Sequence, residues 1–148
     1  MSNTNSVWDE FAVKTRMLKG FFGYESAFRA YTREMVRVMA DDGVSYAELR
    51  PNFPSNVLMK DDASGTYTNI EMCQMIIDEV NAAKAVLPDS VHFEDVKIIY
   101  CAPKLPSPGM TDMRANLREC LDLKKRFENL IWGTYLPGSP RSLLIKIS

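Results

Sequence analysis

The segment Val96-Lys-Ile-Ile-Tyr-Cys101 constrains the fold of this chain more than any other. Successive side chains of a β-strand point to opposite faces, so a run that is apolar at nearly every position needs cover on both faces. That is the pattern of a strand in a parallel sheet flanked by helices. The neighbouring segments supply the helices. Thr68-Asn-Ile-Glu71 matches a capping box, and the helix it opens carries Ile70, Cys73, Ile76, Ile77, Val80 and Ala83 inward before Pro88 closes it. Beyond a Pro-rich loop, Thr111 and Asp112 open another, with Met113, Leu117, Cys120, Leu121, Lys124 and Phe127 on one side. Strands alternating with helices imply βαβ units and an α/β fold.

The N-terminal third adds two helices and a strand. Ser6 reads as the N-cap of the first helix, with Asp9 and Glu10 in its first turn. The second runs from about Tyr24 to Ala40. Its apolar positions Phe28, Tyr31, Met35, Val38 and Met39 recur at spacings of three and four. Gly43 suits the residue just past its end. Val44 to Arg50 reads as a strand stopped by Pro51. The segment from Pro51 to Asn69 is a long loop, and loops above ~12 residues tend to be functional or inserted.

Several functions are excluded by counts. The 148 residues carry 18 basic and 19 acidic side chains, a net charge of −1. Such a chain has no general electrostatic attraction for nucleic acid or anionic lipid. No apolar run approaches the ~18 residues of a membrane span. The N-terminus has neither the basic region nor the apolar core of a signal peptide. Charge is uneven: residues 51–100 carry three basic and eight acidic side chains, whereas residues 101–148 carry eight and four. The last stretch, from Ile131, has no acidic residue.

His92 is the single histidine. A catalytic zinc site takes about three protein ligands, so a His-rich metal centre is excluded within these residues. Three cysteines, Cys73, Cys101 and Cys120, show no C-x-x-C spacing and read as buried structural thiols. His92, beside Glu94 and Asp95, reads as a surface residue and not a catalytic base. Asp61-Asp62 reads as a solvated turn, and the basic run LKKRF, ringed by Glu119, Asp122 and Glu128, as a solvated helix face. The most informative local feature is Tyr46-Ala-Glu48-Leu-Arg50. Alternation puts Tyr46, Glu48 and Arg50 on one side at a strand end, the place where parallel α/β folds carry function. Glu48 and Arg50 read as a structural ion pair at the mouth of the sheet.

Several of these segments carry a family resemblance. LKGFFGYESAFRAYTREMVRVMADDGVSYAELRPNFPS, VKIIYCAPK and LRECLDLKKRFENLI resemble, in that order, the adenosine deaminase-related growth factor branch of the adenosine/AMP deaminase family, in particular its fungal members. The likeness runs from about Val7 to Ile131. It implies part of a (β/α)8 TIM barrel of the metal-dependent hydrolase type. The family binds one zinc, whose activated water attacks C6 of the purine and converts adenosine to inosine while a glutamate moves the protons. Barrels of this kind take about 250 residues.

The resemblance further implies which parts are here. Val44 to Arg50 corresponds to the family's second strand and Val96 to Cys101 to its third. The His-x-His pair of the first strand, and the later histidines, glutamate and aspartate, match no position of this sequence. The fourth strand, Gly-Phe-Asp-Leu-Val-Gly in the family, faces Trp132-Gly133-Thr134-Tyr135-Leu136-Pro137-Gly138, where Tyr135 replaces the aspartate. Gly138 aligns with a glycine that contacts the purine. The expectation is therefore a partial barrel over residues 1–131 and a divergent tail over 132–148, with a degraded fourth strand, as in a truncated product. No zinc is expected to be held by the chain alone. The family's partner is an adenosine-like purine nucleoside, and intact relatives are often secreted. The alternative is a non-enzymatic interaction or dimerisation module that self-associates through open strand edges and apolar helix faces.

Overall fold

The computed structural model describes residues 4–51, 53, 58–101, 113–136 and 143–146. Helices α1 (Thr4–Phe21) and α2 (Glu25–Asp41) lead into strand β1 (Tyr46–Leu49). Helix α3 (Asn69–Lys84), strand β2 (Asp95–Cys101), helix α4 (Met113–Arg126) and strands β3 (Ile131–Leu136) and β4 (Leu143–Lys146) follow. The sheet order is β1-β2-β3-β4. The first three strands are parallel and β4 is antiparallel to β3. The expected α/β alternation is thus present as a small parallel sheet with its connecting helices.

Local chemistry sets the boundaries. Thr68 and Glu71 form the capping box of α3: the Thr68 side chain accepts from the Glu71 N–H, and Glu71 accepts from the Thr68 N–H. α2 ends in a Schellman motif. The Gly43 N–H donates to the Ala40 carbonyl at 3.0 Å and the Val44 N–H to the Met39 carbonyl at 2.9 Å. Gly43 sits at φ +76°, where glycine avoids a Cβ penalty. α1 begins at Thr4, so Ser6 lies inside the helix and is not its N-cap.

Ala47 and Leu49 of β1, Val96, Ile98 and Tyr100 of β2, and Ile131 of β3 pack with α2, α3 and α4 in a single core. The helices therefore cover one face of the sheet. The inward stripes are partly rotated from those expected. In α2 the buried positions are Thr32, Val36 and Ala40, while Tyr31 and Val38 are exposed. In α3, Ile70 is exposed and Met72, Met75 and Glu79 are buried instead. In α4, Leu121 is exposed and Leu123 takes the inward place.

The expectation of a degraded strand after Ile131 is corrected over Ile131–Leu136. This segment is a parallel neighbour of β2, with Ile98 opposite Ile131 and Ile99 opposite Gly133. β3 has one residue more than β2 between those pairs. The extra residue, Trp132, makes a bulge that restores side-chain parity. Ile131 and Thr134, three apart, can then both be buried. The Thr134 hydroxyl donates to the Tyr100 carbonyl at 3.2 Å.

Candidate functional site

In β1, Ala47 and Leu49 turn towards the helices, whereas Tyr46 and Glu48 are exposed. The register sets Tyr46 opposite Asp95 and Glu48 opposite Lys97. The face turned away from α2, α3 and α4 thus carries Tyr46, Glu48, Asp95 and Lys97, continuing along β2 to the fully buried Ile99 and to Cys101. Arg50 follows at the end of β1. Tyr46 and Asp95 open their strands, so these polar groups sit towards the amino end of the sheet, while Arg50 and Cys101 stand at the carboxyl ends, where a parallel α/β sheet carries its chemistry.

The charges on this face are arranged in short range. The Lys97 ammonium contacts Asp95 Oδ2 at 2.8 Å, with the lysine side chain 17% exposed. Burial works to raise the Asp95 carboxyl, but the Lys97 ammonium and the Val96 N–H outweigh it and hold the carboxyl below its ordinary range. Burial, then the charges of Glu48, Asp95 and Glu94, push the Tyr46 phenol up. Burial also raises the Cys101 thiol, and the positive charge of Arg50 draws it partly back. Glu48 stands opposite Lys97 in the register, and the Arg50 charge reaches Cys101 across the strand ends.

A second polar cluster lies on the helix side. Glu119 of α4 accepts from the Asn69 amide at 2.6 Å and from the Tyr100 hydroxyl at 2.5 Å. Asn69 also donates to the Phe53 carbonyl at 3.2 Å, and the Phe53 ring stacks on Tyr100 with centroids 5.3 Å apart. Glu119 thus ties the start of α3, the end of β2 and residue 53 together. Sequence reasoning placed Glu119 on a solvated face and missed Asn69 and Tyr100. The available signal was Glu119 lying one residue before Cys120 on the apolar side of α4.

The other candidates fall apart from these clusters. His92 is exposed. Asp61 and Asp62 are exposed, and Asp62 Oδ1 accepts from the Ser64 N–H at 2.9 Å, the Asx turn expected of that loop. Gly138 lies outside the described residues. Cys73 and Cys120 are buried and Cys101 is half-buried, all three free.

These residues do not fit a zinc site. Among the described residues no group of three His, Cys, Asp or Glu side chains is placed to hold a metal. Zinc takes thiolates, yet burial, then the Glu119 charge, pushes Cys73 up to about 12. Burial also takes Cys120 to about 11, against a hydrogen bond with Thr134. No helix among the described residues is long and apolar enough to cross a membrane.

Comparison with known proteins gives a single direction. Over 137 residues, 92% of this chain, 28% of positions are identical to a protein of Lutzomyia longipalpis named adenosine deaminase. The chain is similar to an adenosine deaminase. The relationship is distant, and the chain spans 25% of that relative's length. No family model matches, and no solved structure matches.

Proposed function

We propose that this chain is a segment of an adenosine deaminase-like barrel, carrying its second to fourth strands, and that these 148 residues neither bind zinc nor deaminate adenosine by themselves. One observation carries the reading: β1, β2 and β3 lie parallel in chain order, with α2, α3 and α4 packed on one face. A doubly wound sheet reverses its strand order and takes helices on both faces. The wall of a (β/α)8 barrel keeps chain order and puts all its helices outside. The similarity to an adenosine deaminase over 92% of the chain supports the same assignment. On this reading the polar face of Tyr46, Glu48, Asp95 and Lys97 looks into the barrel. Glu48 and Arg50 are structural groups there, and the metal is held by none of these residues. Gly138 remains the one position matched to a purine-contacting glycine.

The test is elemental analysis of the purified chain together with the ultraviolet assay for conversion of adenosine to inosine. The expected result is no stoichiometric zinc and no turnover. About one tightly held zinc per chain with turnover would overturn the proposal.

A second reading is an association module derived from the same fold. The exposed apolar side chains of α1 favour it: Val7, Trp8, Phe11, Met17 and Phe21 are each more than half exposed. Surfaces of that kind mark interaction sites. Gel filtration separates the two readings, since a module of this class runs as a defined dimer and a barrel segment does not.

A further inference from the structure

The connection from β1 to α3 doubles back onto α2. The Tyr67 N–H donates to the Leu58 carbonyl at 2.8 Å and the Lys60 N–H to the Gly65 carbonyl at 2.9 Å, closing a hairpin over 58–67. This hairpin is laid along the start of α2. The Met59 N–H donates to the Gly23 carbonyl at 2.7 Å, and the Glu25 N–H to the Met59 carbonyl at 3.0 Å. Tyr24, the N-cap residue of α2, makes no side-chain cap. The missing acceptor comes from the hairpin, where Asp61 Oδ1 accepts from the Ser26 N–H at 3.0 Å. In the other direction Glu25 of α2 accepts from the Tyr67 hydroxyl. Each partner thus supplies a carboxylate that the other needs.

We propose that the hairpin 58–67 is an acid-released clasp on the connection leaving β1: ionised Glu25 holds it closed, and protonation of Glu25 frees it from α2 while the sheet stays folded. The groups facing Glu25 come from three elements. The hairpin presents Tyr67 and Asp61, with the Lys60 ammonium 5.8 Å from the Tyr67 ring centroid. Arg29 of α2 itself donates to the second Glu25 oxygen at 2.9 Å. From α3, Glu79 at 3.2 Å and Asp78 at 3.9 Å hold the far side of Arg29. The Tyr67 hydrogen bond and then Arg29 outweigh burial and the Asp61 charge and hold the Glu25 carboxyl below its ordinary range. A carboxyl depressed in the folded state stabilises it above the unfolded value and loses that contribution as pH falls through the folded one. The clasp is therefore shut near neutrality and opens only once pH falls below the ordinary glutamate value of about 4.3. Phe53 is anchored separately, on Tyr100 and Asn69, so release begins beyond it. The inference holds whether or not the chain belongs to a deaminase barrel.

Amide hydrogen exchange of the whole chain tests it, read as protection factors at Met59 and residue 25, whose N–H groups bridge hairpin and helix, with Ile98 of the central strand as reference. Between about pH 7 and about pH 2, well below the ordinary carboxylate range, Met59 and residue 25 are expected to lose about tenfold or more in protection, the effect of one charged hydrogen bond, while Ile98 keeps its own. Glu25→Gln should show the lowered protection already at neutrality and a flat response to acid. Should that variant fail to fold, Tyr67→Phe gives the same reading: lowered hairpin protection at neutrality with Ile98 unchanged. Wild-type pH dependence in Glu25→Gln, unchanged protection in Tyr67→Phe, or loss at Ile98 together with the hairpin would each overturn the clasp.

Discussion

Glu79 shows how a charge is carried inside this molecule. It lies on α3, 4% exposed, where an isolated carboxylate is very costly. Two arginines of α2 compensate it: Arg29 at 3.2 Å on one oxygen and Arg33 at 2.5 Å on the other. The arginine side chains are 31% and 56% exposed. Removing Glu79 therefore leaves cations that water can still reach. The cost of Glu79→Ala is set at about 1–3 kcal/mol, below that of breaking a fully buried pair. Glu79→Gln, which keeps an acceptor, should lose less. Urea denaturation of the two variants checks the order. Tyr67 allows a prediction at the other end of the pH scale. Its hydrogen bond to Glu25, then burial, pushes the phenol up to about 12. A raised acid stabilises the fold fully below its unfolded value and loses that contribution as pH rises through the folded one. Wild-type stability should fall between about pH 10 and the raised value near 12, and Tyr67→Phe should flatten that limb in alkaline denaturation.

Among the elements, the end of α2 is the sharpest case of sequence reporting structure. Gly43 closes a Schellman motif at φ +76° with nothing within 4 Å of an added Cβ. Gly43→Ala thus meets no clash, and its cost is conformational, about 1 kcal/mol. In a domain of this size that lowers the melting temperature by roughly 2–5 °C, measurable by calorimetry. The same kind of signal, one residue type at one special backbone position, made the α3 capping box legible. Apolar runs made β2 legible. Stripes were legible in period but not in phase. Tyr31, Val38, Ile70 and Leu121 keep helical spacing with buried neighbours and yet are exposed, because periodicity gives the width of an apolar face and not how much of it a neighbour covers. Glu79 and Glu119 were missed for the converse reason. A buried carboxylate looks like a surface one until its partners, 46 and 50 residues away in sequence at Arg33 and Asn69, are brought to it. The bulge at Trp132 was beyond reading for a related cause: it exists only relative to the register of β2.

At the scale of the whole molecule, the C-terminal stretch decides between two pictures. The lost aspartate at Tyr135 and the acid-free composition argued for a divergent tail with a degraded fourth strand, whereas the structure gives β2 a parallel partner over Ile131–Leu136. Ile131 is fully buried in the common core and Thr134 is 2% exposed. β4 continues the sheet from the far side of β3. β2 is the central apolar strand of the fold and has β1 on one side and β3 on the other. A chain ending at Leu130 would strip β2 of that second partner, uncover Ile98 and Ile99, and remove Ile131 itself. Losing one such core side chain costs about 2–5 kcal/mol, and an opened apolar edge invites pairing with other chains. That loss comes on top of the β2–β3 ladder hydrogen bonds and the cover of Ile98 and Ile99, and the sum rivals a total stability of about 5–15 kcal/mol. The prediction is that residues 1–130 aggregate and show no cooperative unfolding transition, while the 148-residue chain gives one. The outer edge of β1 still has no strand neighbour among the described residues, so light scattering should show concentration-dependent association even for the full chain, and much heavier association for the shortened one. Equal midpoints and equal scattering for the two would mean that β3 contributes nothing to the core, and the sheet would then have to be redrawn as a two-stranded β1–β2 unit.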